Sequence, residues 1–318
     1  MAKKKIIDIA AAAQVSPATV SRVFNRHPYV KDKVKKRVLE VARKLKYAPK
    51  FSATKNNIGI VVSGDEGISL GPYESLLITA FAQIMFTRNY TFEIIPHTSV
   101  PLLHNSSLKG LIVMSSKAAK SLSGLDSPML TVNHEQDNIP SVSANHREGM
   151  RMAVNYLYAA GHRKIAYMGE TPPVLSWGLR ERLTGYSEGL DANNLPFEQH
   201  FLKKEEETLI EAAARISRRG CTAAIVGGEG AVLQFCYGMY LMDKSIPNDI
   251  SAISFETANF SQYLTPPQTT INQCLKQLAL VALNRLEKII TNTDKAPLWL
   301  QLDNSLIERE SVKKISTS

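Results

Sequence analysis

The sequence predicts an all-α helix-turn-helix head followed by an α/β body of parallel sheets with helices on both faces. Three observations carry this expectation. Positive charge is concentrated in the first 55 residues. A Ser16-Pro17 pair there separates two short helical patterns. From Asn57 onward, strand-like apolar runs alternate with helical ones.

A chain of 318 residues suits two or three units. Its 44% hydrophobic and 21% charged content is that of a globular chain able to bury a sizeable core. No apolar run reaches the ~18–20 residues that span a bilayer. The opening MAKKKIIDIAAAAQVS looks at first like a secretory leader. Asp8 interrupts its apolar stretch, and Gln14 to Arg22 continue it as a patterned helical segment, so no leader is expected. Cys221, Cys236 and Cys274 have no metal-ligand spacing and, being odd in number, no disulfide framework. They are expected to be buried thiols in a reducing compartment, the cytoplasm.

The formal net charge is +9, with 15 Lys+Arg against 3 Asp+Glu in residues 1–55 and 23 against 26 in the rest. A basic head on a near-neutral body is the footprint of a polyanion-binding module. A solvated basic tail or affinity for anionic lipid would give the same charge, so the pattern within the head has to decide.

Ile6, Ile9, Ala10 and Ala13 recur at helical spacing, and Gln14-Val15-Ser16 ends that helix. Ser16 then supplies a hydroxyl N-cap, and Pro17 occupies the first helical position, where no amide hydrogen is needed. This second helix runs to about Asn25 with Val20, Val23 and Phe24 inward. A third covers roughly Asp32 to Lys46, with Val34, Val38, Val41, Ala42 and Leu45 in one stripe. Two short helices, a three-residue turn and a packing helix form a helix-turn-helix unit. Its second helix enters the major groove, so Pro17, Ala18, Thr19, Ser21, Arg22 and Asn25 are candidate base contacts. Arg22 can donate two hydrogen bonds to guanine, worth roughly 1–3 kcal/mol of discrimination. Ala18 and Thr19 offer methyl contacts or one hydroxyl, and Ser16 acts mainly as a cap.

In the body, Ile58–Val62, Thr91–Ile95, Leu111–Met114, Met129–Val132, Lys164–Met168, Ala223–Val226 and Ile250–Phe255 read as strands. Helices are expected over Glu74–Arg88, Gly149–Ala160 (ended by Gly161), near Leu183–Leu190, and over Leu209–Arg219 and Gly230–Met242. Repeated βα units argue parallel sheets, and ligands then bind beyond the carboxyl ends of the strands.

The stretch VSPATVSRVFN, with Tyr47-Ala48-Pro49 behind it, resembles the head of the lactose-repressor/galactose-repressor (LacI/GalR) family. The resemblance continues through SVSANHREGMRMAVNYLYAAGHRKIAYMG, RERLTGY, TAAIVGGEGAV, IPNDISAISFE, LTPPQTTI and LIERES, in the expected order. It implies a transcription regulator, chiefly a repressor, binding a near-palindromic operator as a homodimer. Tyr29, Lys50 and Phe51 join Ser16 and the second helix in the DNA-contacting set. The body would be a two-lobed, periplasmic-binding-protein-like type I domain of two Rossmann-like parallel sheets, with a sugar or sugar derivative held between the lobes. The implied division is a head over 1–48, a short linker over 49–57 and a ligand-sensing domain over 58–318. The N-lobe would take about 58–161 and 271–297, and the C-lobe about 162–270 and 298–318, with chain crossings near Gly161, Thr270 and Pro297.

Residue by residue, Arg182 in RLTGY matches the family arginine that bonds the effector. A guanidinium suits vicinal hydroxyls or a carboxylate. Glu256 and Glu229 stand where the family usually has aspartates, the extra methylene moving each carboxylate further into the cleft. Tyr73 matches an aromatic position at the first helix start, Asn145 replaces a common aspartate, and Asn133 joins the set. Trp177 can stack on a sugar face or pack.

The linker departs from the family pattern. Pro49 is followed by KFSATKNN, with no leucine between Leu45 and Leu70. Phe51 is the one bulky apolar side chain available as a minor-groove wedge, and it can equally pack against protein. Ser52, Thr54, Asn56 and Asn57 are poor helix formers, so an extended tether is expected, with Lys50 and Lys55 on phosphates. A periplasmic solute-binding protein would share the body but not the basic head. Catalysis is not expected. Glu229 and Glu256 with His134 or His162 lack a nucleophile elbow, phosphate loop or metal spacing, and GGEG is a poor nucleotide motif. No cofactor and no metal are expected. With no leucine heptads after LIERES, a dimer rather than a tetramer is expected.

Overall fold

The computed structural model describes residues 5–24, 30–45, 47, 56–63, 70–106, 108–169, 176–198, 201–228, 230–256 and 259–315. For 32, 43, 104, 105, 119, 120, 256 and 259 it describes the backbone alone. The expected linker lies almost wholly outside these residues.

Helices α1 (Ile6–Ala12), α2 (Pro17–Phe24) and α3 (Asp32–Lys44) make the head. Gln14 takes a left-handed φ of 52° and turns the chain out of α1. Ser16 then starts α2, its Oγ accepting the Thr19 N–H at 3.0 Å. Ile9, Ala10, Ala13, Val20, Val23, Phe24, Val38 and Ala42 close a small core, and Tyr47 packs its ring 5.6 Å from Phe24.

The described strands fall into a six-stranded and a five-stranded sheet. The chain divides into two compact units, residues 1–69, 85–129 and 286–293, and residues 70–84, 130–285 and 294–318. In the first, β1 (Asn57–Val62) pairs in parallel with β2 (Thr91–Pro96) and with β3 (Gly110–Val113). Ile58, Ile60, Val61 and Val62 are fully buried, as an apolar run in a parallel sheet should be.

In the second unit, β4 (Met129–Val132), β5 (Ser141–Ala144) and β10 (Trp299–Leu302) pair in parallel. The five-stranded sheet has the order β11-β9-β8-β7-β6. Its parallel strands are β6 (Ile165–Met168), β7 (Ala223–Gly227), β8 (Ser251–Glu256) and β9 (Thr269–Asn272), and β11 (Ser305–Ile307) is antiparallel at the edge. The helices are α4 (Pro72–Thr87), the single turn α5 (Ala119–Leu122), α6 (His146–Ala159), α7 (Trp177–Ala192), α8 (Leu209–Arg218), α9 (Ala231–Leu241) and α10 (Leu275–Ile290).

Two helices begin three or more residues earlier than expected. α6 starts at His146 because the Asn145 side chain caps it, Oδ1 accepting the Glu148 N–H at 3.1 Å. α7 starts at Trp177, six residues ahead of the apolar pattern. Its glycines lower helix propensity but let it approach α6. A Cβ at Gly185 would lie 2.2 Å from the Arg147 carbonyl oxygen, and one at Gly189 would lie 2.9 Å from Val154 Cβ. Beyond Phe255 the sequence pattern names strings but no elements. The structure adds β9 to β11 and α10, whose Leu278, Ala279, Ala282, Leu283 and Leu286 form a buried stripe.

The last residues are stitched to the five-stranded sheet. The Ala252 N–H donates to the Ser311 carbonyl at 2.9 Å and the Thr269 N–H to Ser311 Oγ at 2.8 Å. Beyond them, the Ile315 N–H donates to the Ala160 carbonyl at 2.9 Å, and His162 Nε2 lies 3.1 Å from the Lys313 carbonyl.

Candidate effector cavity and DNA-facing helix

On α2, Pro17, Ala18 and Arg22 are exposed and Thr19 and Ser21 half-buried, while Val20, Val23 and Phe24 face the core. The six described candidates, from Ser16 to Arg22, therefore share one short segment. The Ser16 hydroxyl is taken up locally by the Thr19 N–H and by Thr19 Oγ1 at 2.9 Å. Asn25, Tyr29, Lys50 and Phe51 lie outside the described residues.

A cavity of about 200 Å³ opens within the second unit. It sits where the strands end: Asn133 follows β4, Gly228 follows β7, Phe255 is the next-to-last residue of β8, and Gln273 follows β9. Tyr73 from the start of α4 and His146, the first residue of α6, add to the wall. α7 supplies Gly178, Leu179 and Arg182, with Ser176 just ahead of it. This is the crevice at carboxyl ends that a parallel sheet offers to ligands.

Asn133 holds a left-handed φ of 56°, a conformation asparagine tolerates. Its Oδ1 accepts the Ala144 N–H at 2.7 Å, and its Nδ2 donates to the Tyr73 hydroxyl and to Gln273 Oε1, the latter at 3.4 Å. Arg182 is 8% exposed. Its guanidinium carbon lies 4.1 Å from the Phe255 ring centroid, a cation–π contact, and its Nε donates to His146 Nδ1 at 3.4 Å.

Burial, with the Arg182 charge second, holds His146 well below its ordinary 6.5. Burial also lowers His134 and His162. All three stay neutral in the folded chain while the unfolded chain protonates near 6.5. The stability they confer is whole above that pH and is lost as pH falls toward the lower folded values. The melting temperature should therefore drop as pH falls below 6.5, and His146→Gln should flatten the drop. A wild-type melt that is level below that pH would contradict the assignment.

Of the expected effector residues, Tyr73, Asn133 and Arg182 come together in the cavity. Asn145 is absent from its lining, occupied by the α6 cap, and its carbonyl accepts from Asn304 Nδ2 at 2.7 Å. Trp177 sits one residue from the wall, edge-on to His146 at 5.7 Å, and hydrogen-bonds Glu135, whose carboxyl is pushed up by burial. Glu229 lies outside the described residues, as does the Glu256 side chain. His146, Phe255 and Gln273 were missed. The Asn145 to Glu148 spacing, a capping signature, was the available signal for His146.

Residues 5–50 match the profile described as bacterial regulatory proteins, lacI family, and residues 154–312 match that of a periplasmic binding protein-like domain. The chain belongs to the lacI family. This lacI-family chain is 28% identical to catabolite control protein A of Streptococcus mutans, over 97% of its own length and 98% of that relative. It is 24% identical to the probable repressor ExuR of Bacillus subtilis, covering 98% and 99%. Among solved structures, the lac repressor dimer bound to operator and the anti-inducer ONPF aligns with a TM-score of 0.69 at 22% identity, covering 98% of this chain and all of that one. A CelR–cellobiose complex aligns at 0.70 and 20% identity, covering 97% and 100%. The fold is thus the lacI-type helix-turn-helix with a two-lobed periplasmic-binding-protein-like body. This lacI-family protein is a DNA-binding transcription regulator, not an enzyme. Among the described residues, no helix is long and apolar enough to cross a membrane.

Proposed function

We propose that this regulator represses transcription as a cytoplasmic homodimer whose operator affinity is set by a sugar or sugar derivative. The observation that carries the reading is the convergence of Arg182, Asn133 and Tyr73 on one cavity at strand carboxyl ends. Its volume of about 200 Å³ is below the roughly 300–1,000 Å³ of pockets for drug-sized ligands and suits a small polar molecule. Relatives support the class: one solved structure is a cellobiose complex and another holds ribose. The proposed division is the head over 1–48, the linker over 49–57 and the sensor over 58–318. Leu233, Tyr237, Tyr240 and Leu241 leave an exposed apolar stripe on α9, where a second copy can pack. Base contacts are assigned to the exposed face of α2, with Asn25 and Tyr29 beside it and Lys50 and Phe51 along the linker. Glu229 and Glu256 are assigned to ligand hydroxyls, with Trp177 and Asn145 supporting the wall.

The test is binding to duplexes selected from a random pool, with and without a panel of sugars, sugar acids and nucleobases. If the head neutralises about 6 phosphates, log affinity should fall with log salt at a slope near −5. Arg22→Ala should cost about 1–3 kcal/mol on the selected duplex and much less on random DNA. Equal losses on both would make Arg22 a phosphate contact only. If no panel member changes affinity, the sugar-effector reading fails.

A further inference from the structure

We infer that Asn56 is a positioning residue for DNA binding: Lys109 and the Asn89 carbonyl grip it, end the tether at a fixed point of the first sheet, and so set which half-site spacings the two heads can reach. This rests on the reading above of a dimer that binds an operator.

The expected linker runs to Asn57, yet Asn57 is already the first residue of β1 and is 1% exposed. Its carbonyl accepts the Lys109 N–H at 2.8 Å, its Oδ1 accepts the Thr91 hydroxyl at 2.9 Å, and its Nδ2 donates to Glu93 Oε1 at 2.6 Å. A buried asparagine requires such bonds. Asn56 stands one residue ahead of the strand and is exposed, so water could serve its polar groups. Protein groups take them instead. The Asn56 carbonyl accepts the Thr91 N–H at 3.0 Å, its Oδ1 accepts from Lys109 Nζ at 3.2 Å, and its Nδ2 donates to the Asn89 carbonyl at 3.4 Å. The Lys109 ammonium is held in turn over the Tyr90 ring, 5.0 Å from its centroid. Asn89 has a left-handed φ of 58° between α4 and β2. All these residues belong to the first unit.

Thr91 and Lys109 thus each hold two successive residues, one through the backbone and one through the side chain. The ladder alone would start β1. A second grip, on the exposed residue ahead of it, resists a pull along the chain. That pull comes from the head. Tyr47 packs in the head core, and the nine residues from there to Asn56 span at most about 32 Å. Without the side-chain grips, Asn56 is held by the Thr91 N–H alone, and its release lengthens each tether by about 3.5 Å. Over two subunits that is about 7 Å, or about two base pairs at roughly 3.4 Å each. Each added base pair also turns one half-site by about 35° around the duplex. Tethers of fixed length cannot follow such changes, and slack ones can.

The test uses the full chain and the duplex it selects from a random pool, remade with the gap between half-sites shortened and lengthened by one and two base pairs. Wild type should lose about tenfold or more in affinity at the altered spacings. Asn56→Ala with Lys109→Met should lose about threefold or less, with unchanged affinity for a single half-site and an unchanged circular-dichroism spectrum. Lys109→Met alone, which removes one exposed bond, should flatten the profile in part. Lys109→Arg, which restores a cationic donor, should follow wild type. A glycine-serine pair inserted after Lys55 lengthens the tether outright and should match the double variant. A wild-type spacing profile in both the double variant and Lys109→Met overturns the inference, as does a profile already flat in wild type, and either leaves the dimer reading standing. A chain that sediments as a monomer and selects one isolated half-site removes both.

Discussion

Arg182→Ala should leave the chain bound to its selected operator and abolish its response to any small molecule that shifts wild-type melting. The base-reading candidates lie on α2, in a head with its own core, whereas Arg182 lies on α7 in the second unit. The guanidinium is nearly buried, so a ligand meets it desolvated, where truncating one partner of a charged pair costs about 2–5 kcal/mol. The same truncation strips His146 Nδ1 of its donor and Phe255 of its cation, so some stability is lost as well. Arg182→Gln separates the effects, because its amide can still donate to His146 without the charge or the fork. Both variants should bind DNA as wild type does in the absence of effector. An unaltered effector response in both would remove Arg182 from the binding site.

Gly185→Ala is the second large effect. In an ordinary helix interior this change gains up to about 1 kcal/mol, since glycine has the greater backbone entropy to lose. Here the new Cβ would meet the Arg147 carbonyl oxygen at 2.2 Å and its carbon at 2.8 Å. Both are backbone atoms of α6, and no rotamer can move them aside. The helices must separate, and overpacking of that kind costs about 1–3 kcal/mol, so steric loss outweighs propensity gain. Gly71→Ala is the control, with nothing within 4 Å of the added carbon. Urea midpoints should show a marked loss for Gly185→Ala and almost none for Gly71→Ala. A midpoint at or above wild type for Gly185→Ala would show that α6 and α7 can part freely. The same contact spaces His146 on α6 from Arg182 on α7, so ligand affinity should fall together with stability.

What the sequence made legible follows from where physics is local. Ser16-Pro17 announces α2 because capping and proline sterics act within one turn. Runs such as Ile58–Val62 announce buried parallel strands because both faces are covered. Arg182, Asn133 and Tyr73 fell together because strand carboxyl ends converge in a parallel sheet. The start of α7 was hidden because Gly178, Gly185 and Gly189 serve contacts with α6, which local propensity does not record. Asn145 read as a ligand group since an asparagine's partners are set by the fold, and here the Glu148 N–H claims its side chain. Gln273 gave no signal, because its place in the cavity wall follows from where β9 ends.

The stitched end of the chain bears on how the protein is made. The second unit gathers residues 70–84, 130–285 and 294–318, and Ser311 to Ile315 supply partners to β8, β9 and the turn after α6. The head is complete in sequence by Tyr47. At the roughly 5–20 residues per second of a ribosome, the last stitch is synthesised about 13–54 s after the head. For that interval the nascent chain holds a complete head and an unfinished second unit. A product cut short before Ser311 would keep that condition permanently, carrying a complete head beside a sheet whose β8 and β9 lack these last partners.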